Sequence, residues 1–506
     1  MKFNFKPKAD AGQQLNYEGE KAFALTPALE LYTAVATAGL SDQFYEKADQ
    51  RLDRIRGLVA KNDAAFVARL AVYAREKMNL RSIPLVLTVE TARSHNGDGM
   101  VGRLAARVIQ RADEITELLA YYSSSNGRVG AKQLNRLSKQ LQYGLSEAFN
   151  KFDEYQFARY NRSAAIRLKD ALFLVHPRAK DDAQQALFNK IAKDELQTPY
   201  TWEVELSAVG QRAYDTDKEK KAAFTRKWEE LIFSKRLGYM AVLRNLRNIL
   251  EAEVSDEALD KVCSYLADDM AVARSRQLPF RFLSAWRELK TLQDGRVGLV
   301  LDALEKAVMC SASNIAGYDR STKMVIAADV SGSMQSPISP NSKVLNYDIG
   351  LMLAMLLQSR CENVITGMFG DTWKTIQVPK GNILANVQEF YRREGEVGYS
   401  TNGYLVIKDL LQRGVVVDKI MLFTDCQLWN SNGTGDTIQQ TWRAYRRVAP
   451  RARLYFFDLA GHGKMPLDVM KDDVFLVAGW SDKIFDVLQS LDQGQDALDK
   501  INEIDI

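Results

Sequence analysis

Over most of its first 310 positions the chain places apolar residues at a helical spacing. In the stretch from Arg51 to Ala60, Leu52, Ile55, Leu58 and Val59 fall on one face, and after a polar break at Asn62-Asp63 the pattern resumes from Ala65 to Ala74. Such segments follow one another from about Thr26 to about Cys310 without intervening strand-like runs, which predicts an all-α array of irregular helical repeats. Near residue 320 the texture changes. Lys323 to Val330 is an unbroken apolar run suited to a strand buried on both faces, and similar runs occupy Val364 to Phe369, Lys419 to Phe423 and Leu454 to Leu459. Helix-like stretches at Ile349 to Gln358, Gly403 to Leu411 and Ile438 to Val448 separate them. The alternation predicts a doubly wound, Rossmann-like α/β domain over residues 319–506, preceded by a helical domain over residues 1–318. In such sheets ligands sit beyond the carboxyl ends of the strands.

Directly after the first of these strands comes Asp329-Val330-Ser331-Gly332-Ser333-Met334. One carboxylate and two hydroxyls on a tight turn offer the oxygen ligands that a hard divalent cation needs, with Gly332 expected to let the chain curl. Asp425 stands after a later strand, and Thr401 offers a third hydroxyl from the intervening loop. This order of Asp329, Ser331, Ser333, Thr401 and Asp425 resembles the metal-ion-dependent adhesion site of a von Willebrand factor A domain. The resemblance implies Mg²⁺ as the bound ion. Hydroxyls in place of carboxylates leave the cation electrophilic, with a coordination position for an acidic group of a partner. Nuclease sites gather more carboxylates around paired ions, so a non-enzymatic role is expected over Mg²⁺-dependent hydrolysis.

Composition narrows the classes. The chain has 506 residues, 46% hydrophobic and 26% charged, as expected of a cored globular protein. No early apolar stretch matches a signal-peptide core and none later matches a membrane span, so a cytoplasmic, membrane-free protein is expected. Its four cysteines show no C-x-x-C spacing and read as small apolar residues. Three scattered histidines leave little room for histidine-based metal chemistry.

Net charge looks uninformative until it is divided. The total is +4, but residues 1–320 carry +7 and residues 321–506 carry −3, and residues 121–180 alone carry +7. That short span includes Arg128, Lys132, Arg136, Arg159, Arg162, Lys169 and Lys180, interleaved with Tyr121, Tyr122, Tyr143, Tyr155 and Tyr160. Cations neutralise phosphates and aromatic faces stack bases, so the span reads as a nucleic-acid surface, with a solvated helix face as the plain alternative. A second candidate is Met240 to Leu250. There the apolar face formed by Val242, Leu243, Leu246, Ile249 and Leu250 is expected to leave Arg244, Asn245, Arg247 and Asn248 together on the opposite side. A third basic cluster runs from Arg274 to Arg281 and includes Arg276 and Gln277.

The string Met-Ala-Val-Leu-Arg-Asn-Leu-Arg-Asn from Met240, then Ser-Arg-Gln-Leu-Pro-Phe-Arg from Ser275, then the D-x-S-G-S-M turn, resembles the Ro ribonucleoprotein family. The amino-terminal portion of that family is the TROVE module. Phe66 to Arg75 and Leu168 to Pro177 extend the resemblance over nearly the whole chain. It implies a monomeric ring of HEAT-like helical repeats closed by the von Willebrand A domain. It further implies small Y-type RNAs on the outer surface, single-stranded 3′ ends of misfolded or damaged RNA in the central hole, and polynucleotide phosphorylase as a tethered partner. His176 takes the place of the family's RNA-facing histidine, and Arg159 and Arg162 correspond to basic residues ahead of the Lys169-Asp170 helix. Ser400-Thr401-Asn402 stands where many members have Gly-Thr-Asp, which keeps the hydroxyl. The alternative function is a protein-interaction scaffold whose A domain engages an acidic partner residue through the metal.

Overall fold

The computed structural model describes residues 13–17, 20–37, 48–126, 137–161, 164–275, 277, 279–312, 321–337, 342–428, 437–469, 472, 474–479 and 497–506. The chain divides into two compact units, Met1–Arg54 with Trp228–Ala497, and Ile55–Lys227 with Leu498–Ile506.

The first unit is built on a six-stranded sheet. With a small sheet's strands β1 (Gln13–Leu15) and β2 (Lys21–Ala24) preceding it in the chain, the large sheet comprises β3 (Lys323–Asp329), β4 (Asn363–Phe369), β5 (Trp373–Thr375), β6 (Lys419–Thr424), β7 (Arg453–Asp458) and β9 (Val474–Ala478); β8 (Lys464–Met465) completes the small sheet. The strand order is β5-β4-β3-β6-β7-β9, parallel except for the antiparallel edge strand β5. The chain therefore winds outward in both directions from β3 and β6, and the switch point lies between their carboxyl ends. The continuous apolar runs follow from burial on both faces. Val325, Ala327, Ile420 and Leu422 pack against the helices Tyr404–Arg413 and Ile438–Val448, while the helix Asn346–Arg360 packs on β3 and β6. That helix is itself buried nearly all round, from Leu351 to Leu357.

The reason is that the helices Pro279–Leu289 and Val297–Ala312 pack on its outer side. Helices preceding the sheet in sequence are thus part of the same compact body. The change of texture near residue 320 marks where the large sheet begins, whereas compactness divides the chain after residues 54, 227 and 497. One ion pair and one helix cap secure this packing. Arg287 makes a bidentate pair with the fully buried Asp348, at 2.6 and 2.7 Å, and Glu305 accepts the backbone N–H groups of Leu384 and Ala385 at the start of the helix Ile383–Arg393. At the N-terminal end, β1, β2 and β8 form the antiparallel small sheet. The buried Arg51 donates to the carbonyls of Thr37 and Ala460, and Asn16 donates to the Leu428 carbonyl, so residues 13–37 and 48–54 are tied to the loops that follow β6 and β7.

The second unit is helical. Asp63, at the predicted break, accepts from the N–H of Phe66 and starts the helix Ala64–Glu76. Glu114, fully buried, accepts from Arg75 Nη2 with both carboxylate oxygens and also accepts the N–H groups of Gln110 and Arg111. The helices Met100–Val108 and Lys139–Phe149 approach so closely that a Cβ at Gly144 would lie 2.4 Å from the Gly102 carbonyl oxygen. Among the described residues, no helix is long and apolar enough to cross a membrane. The four cysteines are free thiols, Cys361 and Cys426 buried and Cys263 and Cys310 only half-buried.

Candidate metal centre and nucleic-acid interface

At the carboxyl ends of β3 and β6, sequence neighbours become a buried oxygen cluster. Asp329, the last residue of β3, is fully buried, and so nearly are Ser331, Ser333, Thr401 and Asp425. The Ser331 N–H donates to Asp329 Oδ1 at 2.9 Å, and the hydroxyls of Ser331 and Ser333 lie 3.2 Å apart. Thr424 Oγ1 donates to Asp329 Oδ2 at 2.6 Å, bridging the two strands. The Gln427 N–H donates to Asp425 Oδ1 at 3.0 Å. The Thr401 segment is bracketed by its neighbours: the Asn402 N–H bonds the Gly370 carbonyl after β4, and a Cβ at Gly403 would meet Leu428, three residues past Asp425.

Gly332 behaves differently from expectation. It opens a short 3₁₀ turn, Gly332–Gln335, at an ordinary backbone angle, and a Cβ there would meet nothing within 4 Å. The turn does not require glycine for its geometry. What glycine leaves is open space beside the cluster.

Burial, and then the charge of Asp425, push the Asp329 carboxyl well above the usual carboxylate range. Two carboxylates confined together in a low-dielectric site repel each other, and a divalent cation between them would relieve that repulsion. Among the described residues, no group of three or more His, Cys, Asp or Glu side chains is placed to hold a metal. The donor set here has two carboxylates and three hydroxyls, all oxygen, and it fits one hard cation such as Mg²⁺. Asp458, at the end of β7, is also buried, and burial lifts it to about 6. It accepts the N–H groups of Ala460 and Gly461, and so shapes the adjoining loop. Thr424 and Gln427 were not singled out by the sequence; their only signal was adjacency to Asp425.

In the helical unit, Arg159, His176 and Lys180 are exposed. His176 ends the helix Leu168–Val175 in the left-handed region, at φ 48°, its N–H bonded to the Leu172 carbonyl. Phe173, one turn earlier, is 54% exposed, and Tyr143 stands open on the neighbouring helix Lys139–Phe149. Gln142 ties the two helices by donating to the Val175 carbonyl at 3.0 Å. Lys169 is paired with Asp194 at 2.7 Å, and Lys180 Nζ donates to the Asn150 carbonyl. Tyr121, taken from the sequence as a stacking face, is instead half-buried and donates to Glu90 at 2.6 Å, while Arg111 covers Tyr160. Arg128, Lys132, Arg136, Arg162 and Arg276 lie outside the described residues.

In the sheet-containing unit, Arg244, Arg247 and Asn248 share the open face of the helix Tyr239–Glu251, but Asn245 does not join them. It is only 3% exposed, donates to the Ala241 carbonyl and accepts from Asn248. Helical geometry explains the error: position 245 lies beside Leu246 and Ile249 at the edge of the apolar stripe, where a short amide can turn back onto its own helix. Arg247 pairs with Glu251 and Glu288 at 2.8 and 2.6 Å. Arg274 is exposed, and Gln277 donates to the Ser275 carbonyl.

Comparison with known proteins adds three findings. The TROVE domain profile matches residues 33–227 and 194–295. Telomerase protein component 1 of Rattus norvegicus is 24% identical over 313 residues, covering 46% of this chain and 11% of that protein, and its Mus musculus counterpart is 23% identical over the same length. The chain thus spans about a tenth of the length of these curated relatives. The crystal structure of the Deinococcus radiodurans RO (RSR) protein superposes with a TM-score of 0.60 at 17% identity, covering 92% of this chain and all of that one, a likeness of fold.

Proposed function

The chain belongs to the Ro family of TROVE-domain proteins, and on that premise we propose that it is a non-enzymatic, cytoplasmic RNA-binding protein of noncoding-RNA quality control. Its ligands in this reading are small Y-type RNAs and misfolded or damaged RNAs with single-stranded 3′ ends, with an exoribonuclease of the polynucleotide phosphorylase type as partner. The observation that carries the reading is that Arg159, His176 and Lys180 are each exposed, with Phe173 open one helical turn from His176, inside the segment matched by the TROVE profile. Cations at that surface contact phosphates, and aromatic faces stack on unpaired bases.

The test is filter binding of a structured RNA carrying a single-stranded 3′ tail, against the same RNA made blunt. Tighter binding of the tailed RNA, reduced by Arg159→Ala with Lys180→Ala, supports the reading. Equal and weak binding of both RNAs at low salt overturns it.

A second reading concerns the sheet-containing unit, as a von Willebrand A-type domain. Asp329, Ser331, Ser333, Thr401 and Asp425 would hold a divalent metal, probed as Mg²⁺ or Mn²⁺. When bound, the metal would supply a Lewis-acidic position for an acidic group of a protein partner. The hydroxyl-rich, buried donor set favours it. Calorimetric titration with Mn²⁺ should show binding that Asp329→Ala abolishes while RNA affinity is spared.

A further inference from the structure

The loop that follows β6 carries Asp425 and turns sharply at the next residue. Cys426, buried, lies at φ 62°, in the left-handed region that residues with a side chain seldom adopt. Such a backbone persists only where its surroundings hold it. Three contacts within the loop do part of this: the Cys426 N–H donates to Thr424 Oγ1 at 3.2 Å, the Gln427 N–H to Asp425 Oδ1 at 3.0 Å, and Gln427 Nε2 to the Asp425 carbonyl at 3.3 Å. Two more come from the other end of the chain. The Tyr17 N–H donates to Gln427 Oε1 at 2.8 Å, and Asn16 Nδ2 donates to the Leu428 carbonyl at 2.8 Å. Gln427 is fully buried and Asn16 nearly so, so water does not readily replace either partner.

Asn16 is also the junction of its own hairpin. Its N–H donates to the Glu20 carbonyl at 2.8 Å, and its Oδ1 accepts the Glu20 N–H at 2.9 Å. β2 pairs in turn with β8, and Lys464 Nζ donates to the Leu15 carbonyl at 2.7 Å. The segment Gln13–Tyr17 therefore meets the Asp425 loop as part of a paired sheet, with its own geometry fixed.

We propose that Asn16 and Gln427 are positioning residues of the oxygen cluster, through which docking of Gln13–Tyr17 sets the affinity of that cluster for a divalent cation. This rests on the metal-binding reading above and adds a regulation from the amino-terminal segment. The connection is short: the Tyr17 N–H holds the Gln427 side chain, and the Gln427 backbone holds the Asp425 carboxylate. A group that orients a metal-binding carboxylate from outside changes affinity without touching the ion. With the segment undocked, Gln427 Oε1 and the Leu428 carbonyl lose these donors, Cys426 is free to leave the left-handed region, and the Asp425 carboxylate loses its fixed place. Linkage makes the effect mutual, so cation binding favours the docked segment by the same factor.

The experiment pairs calorimetric titration of the full chain with Mn²⁺, well below the melting temperature, with hydrogen–deuterium exchange of residues 13–24 in the presence and absence of Mg²⁺. The titrated proteins are wild type, Asn16→Asp and Gln427→Met. Asn16→Asp keeps the acceptor for the Glu20 N–H and removes the donor to Leu428; its added negative charge by itself favours a cation, so a fall in affinity reports the lost tie. Gln427→Met keeps the length of the side chain and removes the acceptor for Tyr17. Each variant should bind Mn²⁺ about tenfold more weakly, as for other residues that orient a metal ligand. Mg²⁺ should slow exchange of the Tyr17 amide in wild type, and have no such effect in Asp329→Ala. A purely structural tie would lower the metal-free melting temperature of the variants alone. If wild type binds Mn²⁺, both variants match its affinity and Mg²⁺ leaves Tyr17 exchange unchanged, the positioning role is overturned while the metal-binding reading stands. If wild type binds no Mn²⁺, that reading fails and the positioning role with it. Where a variant does not fold, wild-type exchange with and without Mg²⁺ decides: slowing supports the role and no change overturns it.

Discussion

Single residues here do more than their sequence context announces. Glu114 is one acidic position in the first turn of the helix Ala112–Ser125, yet it is buried against Arg75 and two backbone N–H groups. Removing one partner of such a pair strands the other, so Glu114→Ala should cost about 3–5 kcal/mol, measured by urea unfolding of the whole chain. Glu305 is a different case. Burial raises its carboxyl above the ordinary value despite the N–H groups it accepts from Leu384 and Ala385. A carboxyl whose folded pKa lies above its unfolded one binds protons on folding, so stability falls as pH rises from the unfolded towards the folded value. Glu305→Gln keeps the acceptor and removes the charge; its melting temperature should therefore decline less than wild type's across that window, and an identical pH profile would refute the assignment. Asp329, by contrast, was legible at once, because a carboxylate followed by two hydroxyls at a strand end is a chemical pattern carried by adjacent residues. Asn245 was not, because a half-turn on a helix decides whether a polar group faces water or its own backbone.

At the scale of elements, the sequence located the interior of most segments and missed those that depend on partners. The strands at residues 323, 363, 419 and 453 lie where apolar runs placed them, and the helix Ile438–Val448 has the expected ends. β5, β8 and the pair β1 and β2 are too short for a periodic signal and exist through pairing with distant chain. Close approach of helices is equally invisible in sequence. Gly144 sits where its helix touches the Gly102 carbonyl and the Ala105 methyl. Gly144→Ala, favourable by helix propensity alone, should therefore destabilise the chain by about 1–3 kcal/mol in denaturant melts through overpacking. Gly332→Ala offers the contrast. Open space and an ordinary backbone angle predict an unchanged melting temperature, and any loss should be seen in Mn²⁺ affinity instead.

For the whole molecule, the net charge of +4 conceals a polarity between the amino-terminal 320 residues and the remainder. Affinity for RNA should consequently fall linearly on a log–log plot against salt, with a slope set by the few phosphates contacted rather than by total charge. A salt-independent affinity would remove phosphate contact from the account. If Mg²⁺ or Mn²⁺ binds the oxygen cluster, the melting temperature should rise with metal concentration, by about 2.7 kcal/mol of stabilisation at a hundredfold excess over Kd, and Asp425→Ala should abolish that rise. Residues 13–37 and 48–54 belong to this scale as well, since Arg51, Asn16 and Tyr17 tie them to loops more than 400 positions away.

Short-range periodicity and adjacent chemistry carried a good deal in the sequence alone: a helical array, a mainly parallel α/β core, the order of oxygen-bearing side chains from Asp329 to Asp425, and the residues through which the chain resembles the Ro family. Tertiary packing settled which cations are already neutralised, as Arg247 is, and which stand exposed without a carboxylate at ion-pair distance among the described residues, as Arg244 does. It also placed the helices between residues 239 and 312 in one compact body with the sheet. The physical reason is that periodicity records which side of an element faces an interior. Pairing, desolvation and charge balance depend on atoms brought together from distant parts of the chain.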